Sequence, residues 1–315
     1  MITLRVDVVI PTRDRPRMLG EAVERVLAQR GRLGRVIVVN DGTSDVRRGL
    51  PGHPALEVVI NQRRTGAPGA RNTGLRLATA PWIVFHDDDD LWDENFIEIM
   101  SPRALIAQSE VVALFPGYRI AFPDGAVRIA PPAQSSPSQD QVLLSNVVGP
   151  TSFVLCRTEA VRAVNGFDET LPGAQDWDLW VRLAEHRVLD PVAEVLGTYR
   201  VHRLGQISAS EPGERFRRYR PFFDKRLAHS RAPVHRKAFA DEAYWWGVLA
   251  AWTGDIAAAA DALDWARRCY PNHLKAAIMR IIALSPLRRA LLRMIYGKRR
   301  NRMRIEDRGE PLEMG

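Results

Sequence analysis

The run Asp87-Asp88-Asp89-Asp90 is the densest concentration of potential chemistry in this 315-residue chain. Four adjacent carboxylates repel one another, so the fold must bring them a counter-charge or leave them in water. A divalent cation is one such partner, because hard cations take carboxylate oxygens. A solvated acidic turn is the alternative. The residues just before, Trp82-Ile83-Val84-Phe85, are apolar without alternation. A run of that kind predicts a strand buried on both faces, which would deliver the acids to the carboxyl edge of a sheet. Cation binding is therefore the expectation. Asp90 is expected to cap or open a following helix, and Trp92 to pack.

The elements that must position this run alternate. Val6–Ile10 reads as a strand, and Met18, Leu19, Ala22, Val23, Val26 and Leu27 recur at helical spacing behind Pro16, a residue suited to a first turn. Val36–Val39 is a second strand ending in Asn40-Asp41-Gly42, Leu56–Ile60 a third, a helix runs from about Ala70 to Ala78, and Trp82–Phe85 is the fourth strand. Strand and helix in this order predict an α/β fold, a doubly wound parallel sheet with its ligand at the carboxyl ends. Pro11-Thr12-Arg13, Asp41-Gly42 and the acid run all sit at such ends and should converge on one crevice.

Composition sets the class. With 46% hydrophobic residues the chain can bury one large core and a smaller appendage. Cys156 and Cys269 lie far apart, which argues against a disulfide framework and for a reducing, cytoplasmic setting. LRVDVVI near the start is strand-like and lacks the basic region of a secretory signal. No apolar run reaches the ~20 residues that span a bilayer; AAIMRIIAL is short and interrupted by Arg280. Of the net charge of +8, residues 285–308 hold +7, from nine Arg or Lys against Glu306 and Asp307. The charge thus belongs to one tail, and no nucleic-acid motif accompanies it.

The segments VVIPTRDRPRMLGEAVERVLAQ, VIVVNDGTSD, GAPGARNTGLRLA and WIVFHDDDDLW, in this order, resemble the nucleotide-sugar half of family 2 glycosyltransferases with the GT-A (Rossmann-like) fold. The resemblance covers about residues 4–205, with 1–100 as the nucleotide-sugar half and 101–225 as the acceptor half. It implies that Pro11, Thr12 and Arg13 form the loop that cradles base and ribose. It implies that Asp41 receives the base imide N–H, although an Asx turn would also explain Asn-Asp-Gly. Arg71 is implied to lie near the diphosphate, which a guanidinium can bridge; a surface helix cation is the alternative. Gly66 and Gly69 would allow a tight approach to that helix start. Asp87-Asp88-Asp89 matches the DXD-type element, with Asp89 on the metal and Asp87 toward ribose or water. Asp88 could share that work, because the register is ambiguous by one residue.

The segment NVVGPTSFVLCRTEAVRAVNGFDETLPGAQDWDLWVRLAEH resembles the acceptor half. Asp176 matches the general base of the family, with Asp178 as the fallback and a helix cap as the alternative role. The usual preceding Glu is Gln175 here, which removes one negative neighbour. His202 in TYRVHRLGQIS matches a histidine that completes the metal shell, where imidazole with carboxylates and diphosphate suits Mn²⁺ or Mg²⁺. The resemblance implies an inverting transfer of a hexose from a nucleoside-diphosphate sugar, a UDP-sugar foremost, to a glycan or lipid-linked acceptor in surface-polysaccharide synthesis. A non-catalytic scaffold and a nucleotidyltransferase are the rival readings. The latter would want a Gly-rich basic loop that TRDRP does not supply.

Pro131–Asp140 reads as a Pro/Ser-rich loop near the acceptor. Residues 226–283 read as helical, and Gly247, Gly254, Ala259, Leu263, Ala266 and Pro271 fall where a tetratricopeptide-like helix pair places such residues. Residues 284–315 form a basic amphipathic tail, with Leu287, Leu291, Leu292, Ile295 and Tyr296 at helical spacing. Through residues 285–304 it is expected to touch anionic membrane as a peripheral anchor.

Overall fold

The computed structural model describes residues 4–185, 187–202, 210–230 and 232–296. The basic run from 297 onward, part of the expected membrane tail, lies outside the described residues. The chain forms two compact units, one from the described residues of Met1–Thr170 with Gln175–Val201, the other from those of Leu171–Ala174 with His202–Gly315.

The first unit opens with β1 (Val6–Thr12), α1 (Pro16–Leu27), β2 (Leu33–Asn40), β3 (Leu56–Ile60), α2 (Ala67–Leu77) and β4 (Trp82–Phe85). These strands are mutually parallel in the order β3-β2-β1-β4. The order reverses at β1, and the crevice between the ends of β1 and β4 is the place where such sheets bind ligands. The lack of alternation in the strands has a direct cause. Val9, Ile37, Val39, Ile83 and Phe85 pack on one face with α2, while Val6, Val8, Val36, Val38, Trp82 and Val84 pack on the other with α1. Both faces are covered, so both sets are apolar, each fully buried side chain contributing about 1.5–3 kcal/mol.

One polar residue sits inside this apolar frame. Asp7 is 1% exposed, and its carboxylate accepts backbone N–H bonds from Arg35 at 2.6 Å, Thr79 at 2.5 Å and Ala80 at 2.8 Å. It ties the start of β1 to β2 and to the turn ahead of β4. Gly74 lets α2 lie on β1, since a Cβ there would come 2.2 Å from a Val9 methyl.

Beyond β4 the sheet stops being parallel. It continues through β5 (Leu91–Trp92), α3 (Phe96–Ile106), β6 (Val111–Ala121), β7 (Val127–Ala130), α4 (Gln139–Leu144), β8 (Leu155–Arg157), α5 (Thr158–Ala163), α6 (Gln175–Ala184) and β9 (Val188–Arg200). Among the described residues the result is one nine-stranded mixed sheet. β8 pairs antiparallel with both β4 and β6, and β5 antiparallel with β9. The expected loop at Pro131–Asp140 is irregular only in part, because Ser138 caps α4 with a capping box to Gln141.

The second unit holds α7 (Pro212–His229), α8 (Pro233–Thr253), α9 (Ile256–Cys269), α10 (Leu274–Leu284) and α11 (Arg288–Tyr296). Gly254 ends α8 in the left-handed region at φ 101° and Asp255 caps α9 through Ala258 N. Gly247 admits Leu263 of α9, whose Cγ a Cβ would meet at 2.5 Å. The buried Arg226 pairs with Glu242 at 3.4 Å and lies 4.4 Å over the Phe239 ring.

Candidate active site

The turn after β4 carries the acid run, and each acid has a different surrounding. Asp88 has no exposed side-chain surface. It accepts the Thr12 hydroxyl at 2.6 Å and pairs with the Arg15 guanidinium at 2.8 Å. Burial pushes its carboxyl up to about 7, against the pull of Arg15. Asp89 pairs with the other arm of Arg15 at 2.6 Å. For Arg15, burial favours loss of charge, but Asp88 and Asp89 together more than offset it and hold the cation. Asp87 is half-buried and pairs with Arg71.

Asp90 departs from expectation. No helix follows it, because β5 does. Its carboxylate accepts the Ser152 hydroxyl at 2.5 Å and the Arg200 backbone N–H at 3.2 Å. Ser152 in turn accepts from Asp87 N at 3.1 Å, so a 3₁₀ turn at Thr151–Phe153 stitches the two ends of the run together. Asp90 is fully buried, and burial followed by the charges of Asp89 and Asp87 raises its carboxyl well above the ordinary range. Trp92 stacks on Phe96 at 4.2 Å and donates to Ser152 O at 2.6 Å, a packing role.

Carboxylate oxygens of Asp87, Asp89 and Asp90 lie within 4.8 Å of one another. All three are hard donors, and Asp90 is a buried acid that a cation would relieve, so the residues present fit a Mn²⁺ or Mg²⁺ ion. The arginines already supply part of the counter-charge, which acid spacing alone does not reveal.

At the end of β2 it is Asn40, and not Asp41, that makes the Asx turn, through Gly42 N at 2.9 Å. Asp41 instead accepts Asn61 Nδ2 at 2.6 Å and the Gly66 backbone N–H at 2.8 Å. It therefore faces the entrance to α2. Gly66 enters that helix at φ +126°, and a Cβ on Gly69 would strike the Arg64 carbonyl oxygen at 1.9 Å. Arg71, 6% exposed on α2, lies 5.2 Å over the Phe167 ring and reaches Gln175 at 3.2 Å as well as Asp87. Of the first loop, Pro11 and Thr12 are buried at the end of β1 and Arg13 is exposed.

Asp176 stands in the first turn of α6, half-buried. The tryptophans around it hold the helix in place: Trp177 donates to Val142 O at 2.7 Å and Trp180 to Gly149 O at 2.9 Å. The loop they anchor carries Asn146, whose amide donates to Asp176 at 3.1 Å while its carbonyl accepts Gly149 N. Burial raises the Asp176 carboxyl above its ordinary value, the Arg71 charge opposes this and Asp87 adds to it. That places Asp176 within electrostatic reach of the acid run. Asp178, the fallback, is buried and committed to Arg182 at 2.8 Å. His202 is half-buried two residues after β9 and falls in the second unit.

Sequence reasoning missed Arg15, Ser152, Arg200 and Tyr118. Tyr118 on β6 stacks against Phe153 at 5.3 Å, and its phenol is raised by burial, then by Asp176 and Asp90. The signal for Arg15 was present, a second arginine just past the strand end in TRDRP. Ser152, Arg200 and Tyr118 come from distant segments, and only pairing brings them in.

Residues 7–161 match the family model described as Glycosyl transferase family 2. The chain carries a family 2 glycosyltransferase domain. Over 190 residues it is 30% identical to the pre-mycofactocin glycosyltransferase of Mycobacterium tuberculosis, covering 57% of this chain and 39% of that protein. Over 183 residues it is 24% identical to the UDP-Glc:alpha-D-GlcNAc-diphosphoundecaprenol beta-1,3-glucosyltransferase WfgD of Escherichia coli, covering 56% of this chain and 69% of that protein. The chain thus spans well under half the length of the first relative. In three dimensions it resembles S. aureus TarS 1-349 in complex with UDP-GlcNAc, with a TM-score of 0.64, 14% identity, and coverage of 94% of this chain and 92% of that one. It also resembles the mannosyltransferase PcManGT from Pyrobaculum calidifontis in complex with GDP-Man and Mn²⁺, with a TM-score of 0.57, 20% identity, and coverage of 93% and 84%. The family 2 domain therefore has the expected GT-A fold, with helices beyond it.

Proposed function

We propose that this chain transfers a hexose from a nucleoside-diphosphate sugar to an acceptor hydroxyl with inversion, using a divalent cation. The observation that carries the reading is Arg71 of α2, which joins Asp87 of the three-carboxylate group at the end of β4 to Gln175, the residue before Asp176. In this reading Asp41 accepts the imide N–H of the base, with its carboxylate oriented by Asn61 and Gly66 N. Asp87 meets the ribose side, while the buried Thr12 and Asp88 hold the turn behind it through their mutual hydrogen bond. Arg71 turns toward the diphosphate, where its charge offsets the charge growing on the leaving group. Asp87, Asp89 and Asp90 would hold Mn²⁺ or Mg²⁺, which when bound supplies Lewis-acid stabilisation of the diphosphate. Asp176 takes the proton from the acceptor hydroxyl as it attacks.

A UDP-sugar is the proposed donor and a glycan or lipid-linked alcohol the proposed acceptor. The undecaprenol-linked acceptor in the name of the E. coli relative supports the second choice. Contact of residues 285–304 with the cytoplasmic face of an anionic membrane belongs to the same reading.

A thermal-shift panel of UDP, GDP, dTDP and CMP, each with and without Mn²⁺, tests it. A ligand at 100 times its Kd adds about 2.7 kcal/mol, which moves the melting temperature of a domain this size by roughly 5 °C or more. A Mn²⁺-dependent shift with one diphosphate supports the transferase. No shift with any nucleotide rejects it in favour of a scaffold.

A further inference from the structure

α10 is packed inside out. The side it turns to the rest of its unit carries the small or slender residues Ala276, Met279 and Ala283, all buried. The opposite side carries the bulky ones: Leu274 is 74% exposed, Ile278 59%, Ile281 72% and Leu284 53%. Positions 274, 278 and 281 follow the i, i+4, i+7 spacing of a single helix face. Exposed apolar residues are ordinary when scattered, but a contiguous stripe marks an interaction surface. Past the end of α10, Leu287 is 66% exposed, and Met294 on α11 is 76% exposed.

Charge decides what covers it. Arg289 and Arg293 on α11, the next helix, are exposed, and residues 285–308 carry +7. A second copy of the chain would bring two such windows together, which like-charge repulsion opposes. The tail beyond Tyr296, GKRRNRMRIEDRGEPLEMG, has too few apolar residues to cover the stripe itself. No described helix is long and apolar enough to cross a membrane. Apolar side chains followed in the chain by arginines, on a helix too short to span, fit an element that lies in a bilayer surface with its cations at the lipid phosphates.

We propose that the outward face of α10, with Leu274, Ile278, Ile281 and Leu284 as its anchors, inserts into the surface of an anionic phospholipid bilayer. The exposed arginines of α11, Arg289 and Arg293, hold it there. This deepens the membrane contact proposed above by moving the apolar anchor out of the tail and onto α10, and it does not depend on the donor or acceptor.

The test is sedimentation of the full chain with vesicles of phosphatidylcholine alone or of equal parts phosphatidylcholine and phosphatidylglycerol. The comparison is the Ile278→Glu/Ile281→Glu double variant, whose changes lie on the exposed face and leave the buried one intact. The wild type should bind the anionic vesicles, more weakly as salt rises, and ignore the neutral ones. The double variant should lose more than about tenfold in partitioning with its melting curve unchanged. Binding that is equal in the double variant overturns the assignment to α10, as does a wild type that ignores anionic vesicles. A wild-type dimer that the double variant dissolves, seen by light scattering, overturns it in favour of a second copy. The UDP and Mn²⁺ thermal shift, measured on both proteins without lipid, reports the donor site separately. Its loss would count against the transferase reading alone.

Discussion

Asp176→Asn separates a general base from a helix-start acid, because the two roles predict opposite effects on stability. Asn is isosteric, and the contact with Asn146 survives. The Asn146 carbonyl is held by Gly149 N, so its amide N–H₂ still points at residue 176 and can donate to the new amide oxygen. What changes is the charge. Burial raises the Asp176 carboxyl above its ordinary 3.8, so the folded chain holds that proton more tightly than the unfolded one. Such a group weakens the fold as pH rises from 3.8 through its raised folded value. The neutral variant should therefore melt no lower than wild type at pH 7.5, and the difference should vanish below pH 4. An acid kept only for the helix dipole would behave the other way, since its loss costs about 0.3–1 kcal/mol. Turnover should fall by about 10²- to 10⁴-fold, ~3–5 kcal/mol of barrier. The assay is release of nucleoside diphosphate from the hexose donor that the thermal-shift panel selects. The wild-type rate should fall on the acid side with an apparent pKa above that of a free carboxylate, and this limb should be missing in the variant. Turnover within about tenfold of wild type, with the acid limb intact and a lowered melting temperature, would refute the assignment.

Arg71→Met should weaken nucleoside-diphosphate binding by about tenfold or more, as loss of one charged hydrogen bond implies, and leave nucleoside binding unchanged; isothermal titration with UDP and uridine reads both. Arg15→Gln removes the internal cation on Asp88 and Asp89, so Mn²⁺ titrated without nucleotide should bind more tightly than to wild type. Unchanged affinity would mean that Arg15 does not compete with the metal. Asp7→Asn leaves one oxygen for three backbone donors and should lower stability by at least about 2 kcal/mol in urea melts, without touching the site directly. Gly69→Ala should cost about 1–3 kcal/mol and loosen nucleotide binding, because its Cβ meets backbone at Arg64 and the entrance to α2 must shift.

The parallel half of the fold was legible because its strands are buried on both faces. That burial forces the continuous apolar runs at Val36–Val39 and Trp82–Phe85, and such runs admit few other readings. The mixed half was not, since β5 has two residues and β8 three, too short to show a period. Asp90 was misread for the same reason. Its real partners, Ser152 and Arg200, arrive through that short-strand pairing, whereas a helix cap is the local guess for any acid after a strand. Asp7 hid in an apolar run, and only the Arg35, Thr79 and Ala80 amides explain why an acid is tolerated there.

The acid run itself shows where composition stops being informative. Repulsion among four carboxylates demands a counter-charge, and the fold supplies one from three directions: Arg15 on Asp88 and Asp89, Arg71 on Asp87, and Arg200, whose backbone N–H donates to the Asp90 carboxylate and whose guanidinium donates to the Asp89 carbonyl oxygen. None of these removes the fit for a metal, because Asp87, Asp89 and Asp90 keep oxygens within 4.8 Å of one another. The arginines and a cation are then alternatives for the same charge. Arg71 is the partner with the most to gain by leaving, since a diphosphate offers its guanidinium more negative charge than Asp87 does. If metal and donor arrive together, Arg71 can exchange carboxylate for phosphate while Arg15 stays beneath on the buried Asp88. Metal alone would have to displace a cation without offering it a new anion. Metal affinity should therefore be higher with nucleoside diphosphate than without, and linkage requires the reverse as well.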